Sequence, residues 1–314
     1  MSTSRIPQFV LAALTGAPAA ADYLLTTGTS EIRTLEGEGL MREFEDGHGG
    51  GVFTQTSTKR AFGLTMKTYL CGSGTAGTAS RFGRLLRACA MVETVTTTPD
   101  PPAVIYTMAD IGAPTESINL APWKHGELQA IQNARGTFTA TFAAGQLPTL
   151  EFVFTAPYVA ATNGARPAIS AGGVAAPAPV DAENTQAFSL GGTGLVFSNI
   201  TYTHGAEVVL HDNGGSGGKL VTITNYMPSI TATVIKPTGG YATFNPYAKH
   251  TSGAVDQLLL VHGAAGNRCT LAANVSYGIP TEANVNDLAA WEIPLTPHRP
   301  TLGSLTGWLS FKFD

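Results

Sequence analysis

Residues 134–148 read ARGTFTATFAAGQLP, and residues 267–280 read NRCTLAANVSYGIP. Arg135 stands against Arg268, Thr137 against Thr270, Phe138 against Leu271 and Gly145 against Gly278. A proline follows each glycine within three residues. In both copies small or hydroxyl residues alternate with larger apolar ones. That period of two predicts a half-buried strand running into a glycine turn. The copies lie 268 − 135 = 133 positions apart in a chain of 314 residues. A sequence that states one strand twice, almost half a chain apart, is expected to hold two like β units.

The neighbouring segments echo each other in the same order. SEIRTLEGEGLMREFE (30–45) predicts two short strands broken near Gly37 and Gly39, and TGLVFSNITYTHG (193–205) takes its place later. The glycine-rich stretch DGHGGGVFTQTST (46–58) reads as a long hairpin loop, and EVVLHDNGGSGGKL (207–220) answers it. AFGLTMKT sets Phe62, Leu64 and Met66 on one face, as SITATVIK sets Ile230 and Val234. TASRFGRLLRACAMVE (78–93) carries apolar residues at helical spacing and predicts a helix. HTSGAVDQLLLVHG (250–263) stands in that helix's place in the second half. LEFVFT (150–155) finally matches WEIPLT (291–296). Residues 161–185, rich in Ala, Pro and Gly, read as a linker. The expected division is an arm at 1–22, a first domain at 23–160 and a second domain at 186–314.

Charged residues make up only 13% of the chain, against about 25% in an ordinary soluble domain. So neutral a chain is expected either to expose an unusually neutral surface or, more economically, to bury much of it in an assembly. Net charge is −4 and no Lys/Arg cluster occurs, which argues against tight binding of nucleic acid. Three scattered cysteines, Cys71, Cys89 and Cys269, do not make a disulfide framework and fit a reducing compartment. No apolar run approaches the ~20 residues that span a bilayer, so no membrane partner is expected. The N-terminal FVLAALTG is short and interrupted. It reads as an arm lying on a neighbouring subunit rather than as a secretory leader.

The motifs that would carry chemistry fail on inspection. NGGSGGKL (213–220) lacks the first glycine of a phosphate loop and the hydroxyl residue after its lysine. His204 and His211 are seven apart, and strand alternation puts them on opposite faces. No catalytic, cofactor or metal residue is expected, and no enzymatic activity. The densest charge is acidic: Glu31, Glu36, Glu38, Glu43 and Glu45, followed by Asp46. It reads either as a solvated sheet face or as a wall that repels a polyanion.

GTASRFGRLLRACAMVETV (77–95), a hairpin, and then NARGTFTATFAAGQLPTLEFVFTAPYV (133–159) together resemble the tail tube protein of long-tailed bacteriophages. The likeness covers residues 20–160, and the second half joins through the internal repeat. The resemblance implies a mainly β chain of two tandem β-sandwich/barrel domains, each flanked by a helix or helix-like segment. Their strands would join a β-barrel ring across subunits, with rings stacked into a hollow tube. It implies three copies per ring with pseudo-sixfold symmetry, or alternatively six. The implied partners are further copies of the chain, a tape measure protein, and tail terminator and distal tail proteins. Phage DNA would pass through the lumen without specific binding. The location would be the virion tail, after assembly in the host cytoplasm. Glu31, Glu36, Glu38, Glu43 and Glu45 would face the lumen. The loops Asp46, Gly47, His48, Gly49, Gly50, Gly51 and Asp212, Asn213, Gly214, Gly215, Ser216 would contact the next ring. Another virion β-protein, distal or decorating, and a carbohydrate-binding β-sandwich remain as alternatives.

Overall fold

The computed structural model describes residues 8–28, 30–41, 55–98, 102–110, 116–169, 175–213, 218–299 and 308–314. The first half forms β1 (Gln8–Ala13), β2 (Glu31–Met41), β3 (Gln55–Tyr69), α1 (Gly83–Ala88), β4 (Met91–Thr96), β5 (Ala103–Met108), β6 (Ile118–Lys124), β7 (Glu127–Leu128), β8 (Ile131–Ala143), β9 (Thr149–Pro157) and β10 (Thr162–Asn163). The second half forms β11 (Thr185–Leu190), β12 (Thr193–Gly194), β13 (Val196–Thr203), β14 (Ala206–Asp212), β15 (Lys219–Tyr226), β16 (Ser229–Ile235), α2 (Pro246–Thr251), β17 (Val255–His262), β18 (Cys269–Tyr277), β19 (Thr281–Val285), β20 (Leu288–Pro297) and β21 (Leu309–Phe313). The chain is mainly β, and every strand pairing is antiparallel.

Strand alternation follows the sequence closely. Phe138, Ala140 and Phe142 of β8 are buried while the residues between them are half-exposed. Leu150, Phe152, Phe154 and Ala156 do the same on β9; on β3 Phe62, Leu64 and Met66 are buried together with Ala61 and Gly63. Between β8 and β9 the chain turns at Gly145, whose φ of +75° suits a residue without Cβ.

The pairings trace two layers. One runs β2-β3-β9-β8-β13-β16-β20-β19. The other runs β4-β5-β21-β18-β17-β11. They are linked where Val275–Tyr277 of β18 meets Leu295–Pro297 of β20. β6 lies along the start of β8 and carries β1 on its other side. Aromatic side chains bind the layers together: the Phe311 ring on β21 lies 6.0 Å from Phe138 on β8 and 5.3 Å from Tyr202 on β13. One buried cluster takes Phe62, Phe138 and Phe154 from the first half and Tyr202, Leu258 and Trp291 from the second. Among the described residues no sheet closes into a barrel; β2 and β19 end the first layer as edges.

Several elements differ from the sequence reading. The expected helix over 78–93 shortens to α1, six residues long, although Phe82, Leu85, Leu86 and Cys89 are buried as their spacing implies. Beyond Ala90, which is left-handed at φ +62°, Val92, Thr94, Val95 and Thr96 pair with β5. A run of β-branched residues favours a strand, and tertiary pairing overrides the helical stripe. HTSGAVDQLLLVHG likewise splits: α2 ends at Thr251, and Val255–His262 is strand β17. Leu258, Leu260 and His262 are buried there with a period of two. The two strands expected around Gly37 and Gly39 are one strand, β2, whose register shifts between Arg33 and Glu36 and again between Glu36 and Glu38. β3 begins at Gln55, inside the stretch read as a loop.

The boundaries read from sequence are crossed by pairing. Gln8–Ala13, expected as an arm on a neighbour, pairs with β6 of the same chain. Within 161–185, β10 pairs with β7, and Trp123 Nε1 donates to the Gly164 carbonyl at 3.2 Å. Val180 is buried and exchanges backbone hydrogen bonds with Gly145 and Gln146. β21, from the C-terminus, inserts between β5 of the first half and β18 of the second.

Candidate assembly surface

The two halves share one pairing pattern over four strands each. In the first half β2 pairs with β3, β3 with β9 and β9 with β8. In the second, β13 pairs with β16, β16 with β20 and β20 with β19. The two quartets meet edge to edge, Thr139–Ala143 of β8 against Asn199–Thr203 of β13. The surface away from the core is rich in hydroxyls across this joint. Thr149, Thr141, Thr201 and Thr231 form one cross-strand row, half-buried and uncharged.

The two copies of the arginine–threonine motif occupy different settings. Arg135 donates from Nη1 to the Val221 carbonyl on β15, and burial pulls its pKa down. Thr137 Oγ1 accepts from the Ala206 amide at 3.1 Å, so the β14–β15 hairpin is tied to β8. Arg268 instead donates from Nε to Asp314 Oδ1 at 2.7 Å. Burial raises the Asp314 pKa, but hydrogen bonds from Lys312 and Arg268 outweigh it and hold the carboxyl below its ordinary value. Phe138 and Leu271 are both buried. Thr270 pairs with Lys312 of β21 and Val261 of β17. Gly278 lacks the left-handed φ of Gly145; it is small because a Cβ there would come within 3.0 Å of the Pro294 ring. Like sequence words therefore sit on strands with different partners. Along β20, the place that β8 takes along β9 belongs to β19.

Three of the acidic candidates are described, and each meets a cation. Arg33 lies 2.6 Å from Glu36 and 3.8 Å from Glu31, and Lys59 lies 3.1 Å from Glu38. All three carboxylates are at least a third exposed, so these pairs add little stability. They do leave this strand near neutral. Glu43 and Glu45 lie outside the described residues. So do Asp46, Gly47, His48, Gly49, Gly50 and Gly51 of one loop, and Gly214, Gly215 and Ser216 of the other. Asp212, on β14, pairs with Lys219 across the hairpin at 3.2 Å, and the Asn213 amide donates to Gly218.

Among the described residues no three of His, Cys, Asp and Glu gather as a metal site. No described helix is long and apolar enough to cross a membrane. Cys71, Cys89 and Cys269 are free and buried, and burial raises each thiol's pKa. His204 is fully buried, its Nδ1 2.8 Å from the Tyr202 hydroxyl, while His211 Nε2 meets Thr222 Oγ1 at 2.8 Å. An open groove of about 680 Å³ beside β11 is lined by Phe188, Leu195, Phe197 and Val180. The one ionisable group on its wall, Asp181, accepts hydrogen bonds from Asn184 and Glu183. Trp123, Trp291 and Trp308 are at most 8% exposed and offer no stacking platform. No known family model matches the chain, and no curated protein is similar to it.

Sequence reasoning did not find β19, whose TEANV carries strand formers only at its two ends, Thr281 and Val285. It also passed over His204 as a joint between the halves. The signal was present in ITYTH, where His204 continues the buried face of Ile200 and Tyr202.

Proposed function

We propose that this chain is a structural subunit of a phage tail tube, in which copies close into rings and stacked rings enclose a channel for double-stranded DNA. The observation that carries this reading is the open layer built from two like strand quartets. They are already joined edge to edge inside the chain and, among the described residues, leave one unpaired edge at each end. An exposed edge strand is a template for further pairing, and closing a ring removes every such edge at once. Three chains would then supply six quartets. A ring of six copies is the alternative.

The wall chemistry supports the same reading. DNA carries about one charge per 1.7 Å, and a basic surface would hold it. The threonine row and the strand of Glu31, Glu36 and Glu38, three carboxylates against the two cations Arg33 and Lys59, instead offer a weakly negative wall. Tape measure, terminator and distal tail proteins are the partners this role requires. We read no catalytic role. A decorating or distal virion protein would form a single ring or coat a capsid, and a saccharide binder would stay dispersed. Electron microscopy of the purified chain separates these: tubes or threefold rings are expected, and a dispersed monomer at high concentration would overturn the tube reading.

A further inference from the structure

We propose that the β14–β15 hairpin is a hinged strap: closed over β8 and β9 in a free chain, it swings onto a second copy when copies join. The proposal deepens the tube reading above and rests on it.

The two halves carry the same hairpin. Leu64 pairs with Ile32 and Phe154, and Ala232 pairs with Ile200 and Ile293. Ile32 and Ile200 therefore hold one place in the two quartets, 200 − 32 = 168 positions apart. The same offset runs on. Glu38 pairs with Thr58 as Ala206 pairs with Tyr226, where 206 − 38 = 226 − 58 = 168. Gly39 likewise pairs with Ser57 as Glu207 pairs with Asn225. From here the copies part. In the first half Leu40 and Met41 continue opposite Thr56 and Gln55 without a shift, still within β2 and β3. In the second half the ladder breaks at Gly205, left-handed at φ +63°, and slips again between Glu207 and Val208, which leaves Thr224 over. Beyond the break β14 and β15 form a separate two-stranded sheet. One element thus takes two courses in one chain, and a bulge, which bends a strand, marks the difference.

The bent course lays the hairpin across β8, β9 and β3. It rests on the side that bears Arg135 and Thr137: Arg135 Nη1 donates to the Val221 carbonyl, and the Ala206 amide donates to Thr137 Oγ1 at 3.1 Å. By strand alternation that side also bears Thr141 and its cross-strand row, and the tube reading makes it the channel wall. A hairpin on the wall of every copy stands in the path of DNA. Beyond the bulge the hairpin is built to move as a unit. Lys219 pairs with Asp212 at 3.2 Å and His211 Nε2 meets Thr222 Oγ1 at 2.8 Å, both within it. Arg135 anchors it to the sheet, and burial there pulls the guanidinium's pKa down. A lone two-stranded hairpin is marginal in water, and Val221 is fully buried in the closed position. The strap therefore leaves one seat only for another. A neighbouring copy in the ring, whose assembly needs the wall cleared, supplies it.

The test fixes the strap shut. Arg135→Cys with Val221→Cys sets two thiols about one arginine side chain apart, a gap that a short bismaleimide spans once the protein has folded. The native cysteines are buried. The crosslinked chain is expected to stay as single copies, while the same variant left open forms rings or tubes. Arg135→Ala removes an anchor of the closed position alone. Assembly followed by light scattering should then show a lag shortened about fivefold, the effect of one hydrogen bond on a two-state balance. Crosslinked chains that assemble as readily as open ones would overturn the strap and leave the tube reading standing. An unchanged or longer lag in Arg135→Ala would do the same, and that variant decides where the cysteine changes alone block assembly. A wild-type chain that never assembles would overturn both readings.

Discussion

Phe138 and His204 stack with ring centroids 4.9 Å apart and planes 20° from parallel, and the His204 amide donates to the Phe138 carbonyl at 2.9 Å. The pair welds the first half of the chain to the second at the end of the β8–β13 joint. Burial drives the His204 pKa down to about 4, against a smaller opposing pull from the Cys89 backbone. The imidazole is therefore neutral in the fold.

That neutrality predicts acid sensitivity. The unfolded ring titrates near 6.5 and the folded one near 4, so between those values the unfolded chain binds more protons. Stability from this group is complete above about pH 6.5. It declines as pH falls toward 4, by about 3 kcal/mol at most. Burial also depresses the His262 pKa, which acts in the same direction. Urea melts across pH 4–7 should show the decline. His204→Phe should flatten it, even though the variant leaves the Tyr202 hydroxyl without its ring partner. An unchanged slope would remove His204 from the account.

Asp314 gives a prediction of opposite character. Its side chain is 5% exposed and takes hydrogen bonds from Arg268 and Lys312, both 2.7 Å away, which tie β21 to the second motif strand. Asp314→Asn should cost about 1–3 kcal/mol at neutral pH. The folded pKa lies below the ordinary 3.8, so the wild-type advantage is present above that value and is lost as pH falls through the folded pKa. The gap between paired melts should therefore be smaller at pH 3 than at pH 7. A gap of equal size at both would assign the effect to shape rather than charge.

The glycines of the two motif copies should respond differently to alanine. At Gly136 an added Cβ would collide with the Val153 carbonyl and the Phe154 ring, so Gly136→Ala should cost 2 kcal/mol or more, about the scale of overpacking a core. Gly145→Ala meets open space but a left-handed φ, at a cost of about 1 kcal/mol. Gly278→Ala would press on the Pro294 ring at 3.0 Å and on its carbonyl oxygen at 3.2 Å, looser than the contacts at Gly136, and should cost less than Gly136→Ala. Thermal melts in which Gly136→Ala is not the costliest of the three would contradict the pairing described for β8 and β18.

How far the fold could be read in advance depended on whether the information was local. Phe62-Leu64-Met66 and Phe138-Ala140-Phe142 show alternation within a few residues, and those strands were legible. The 83–96 region carries a helical stripe and a β-branched run at once, and only pairing with β5 decides between them. Choice of partner was not legible. Phe138 and Leu271 look alike in sequence, yet one strand runs beside β9 and the other beside β21. The acidic run was visible as charge, while its neutralisation by Arg33 and Lys59 needs the register of β2 on β3.

The last prediction concerns that strand. If the face bearing Glu31, Glu36 and Glu38 lines a channel for DNA, its near-neutral balance should govern transit rather than assembly. Changing the three to lysine releases Arg33 and Lys59 from their partners and turns a paired strip into a cluster of five cations. The exposed pairs contribute little to stability, so rings should still form. A polyanion meeting such a cluster at every ring exchanges counterions for fixed charges, which slows passage and makes it dependent on salt. The measurement is DNA release from particles carrying the triple variant, followed over time at low and at raised ionic strength. Slower release that recovers with added salt is the expected result. Release indistinguishable from wild type, in tubes of normal length, would place this strand away from the channel.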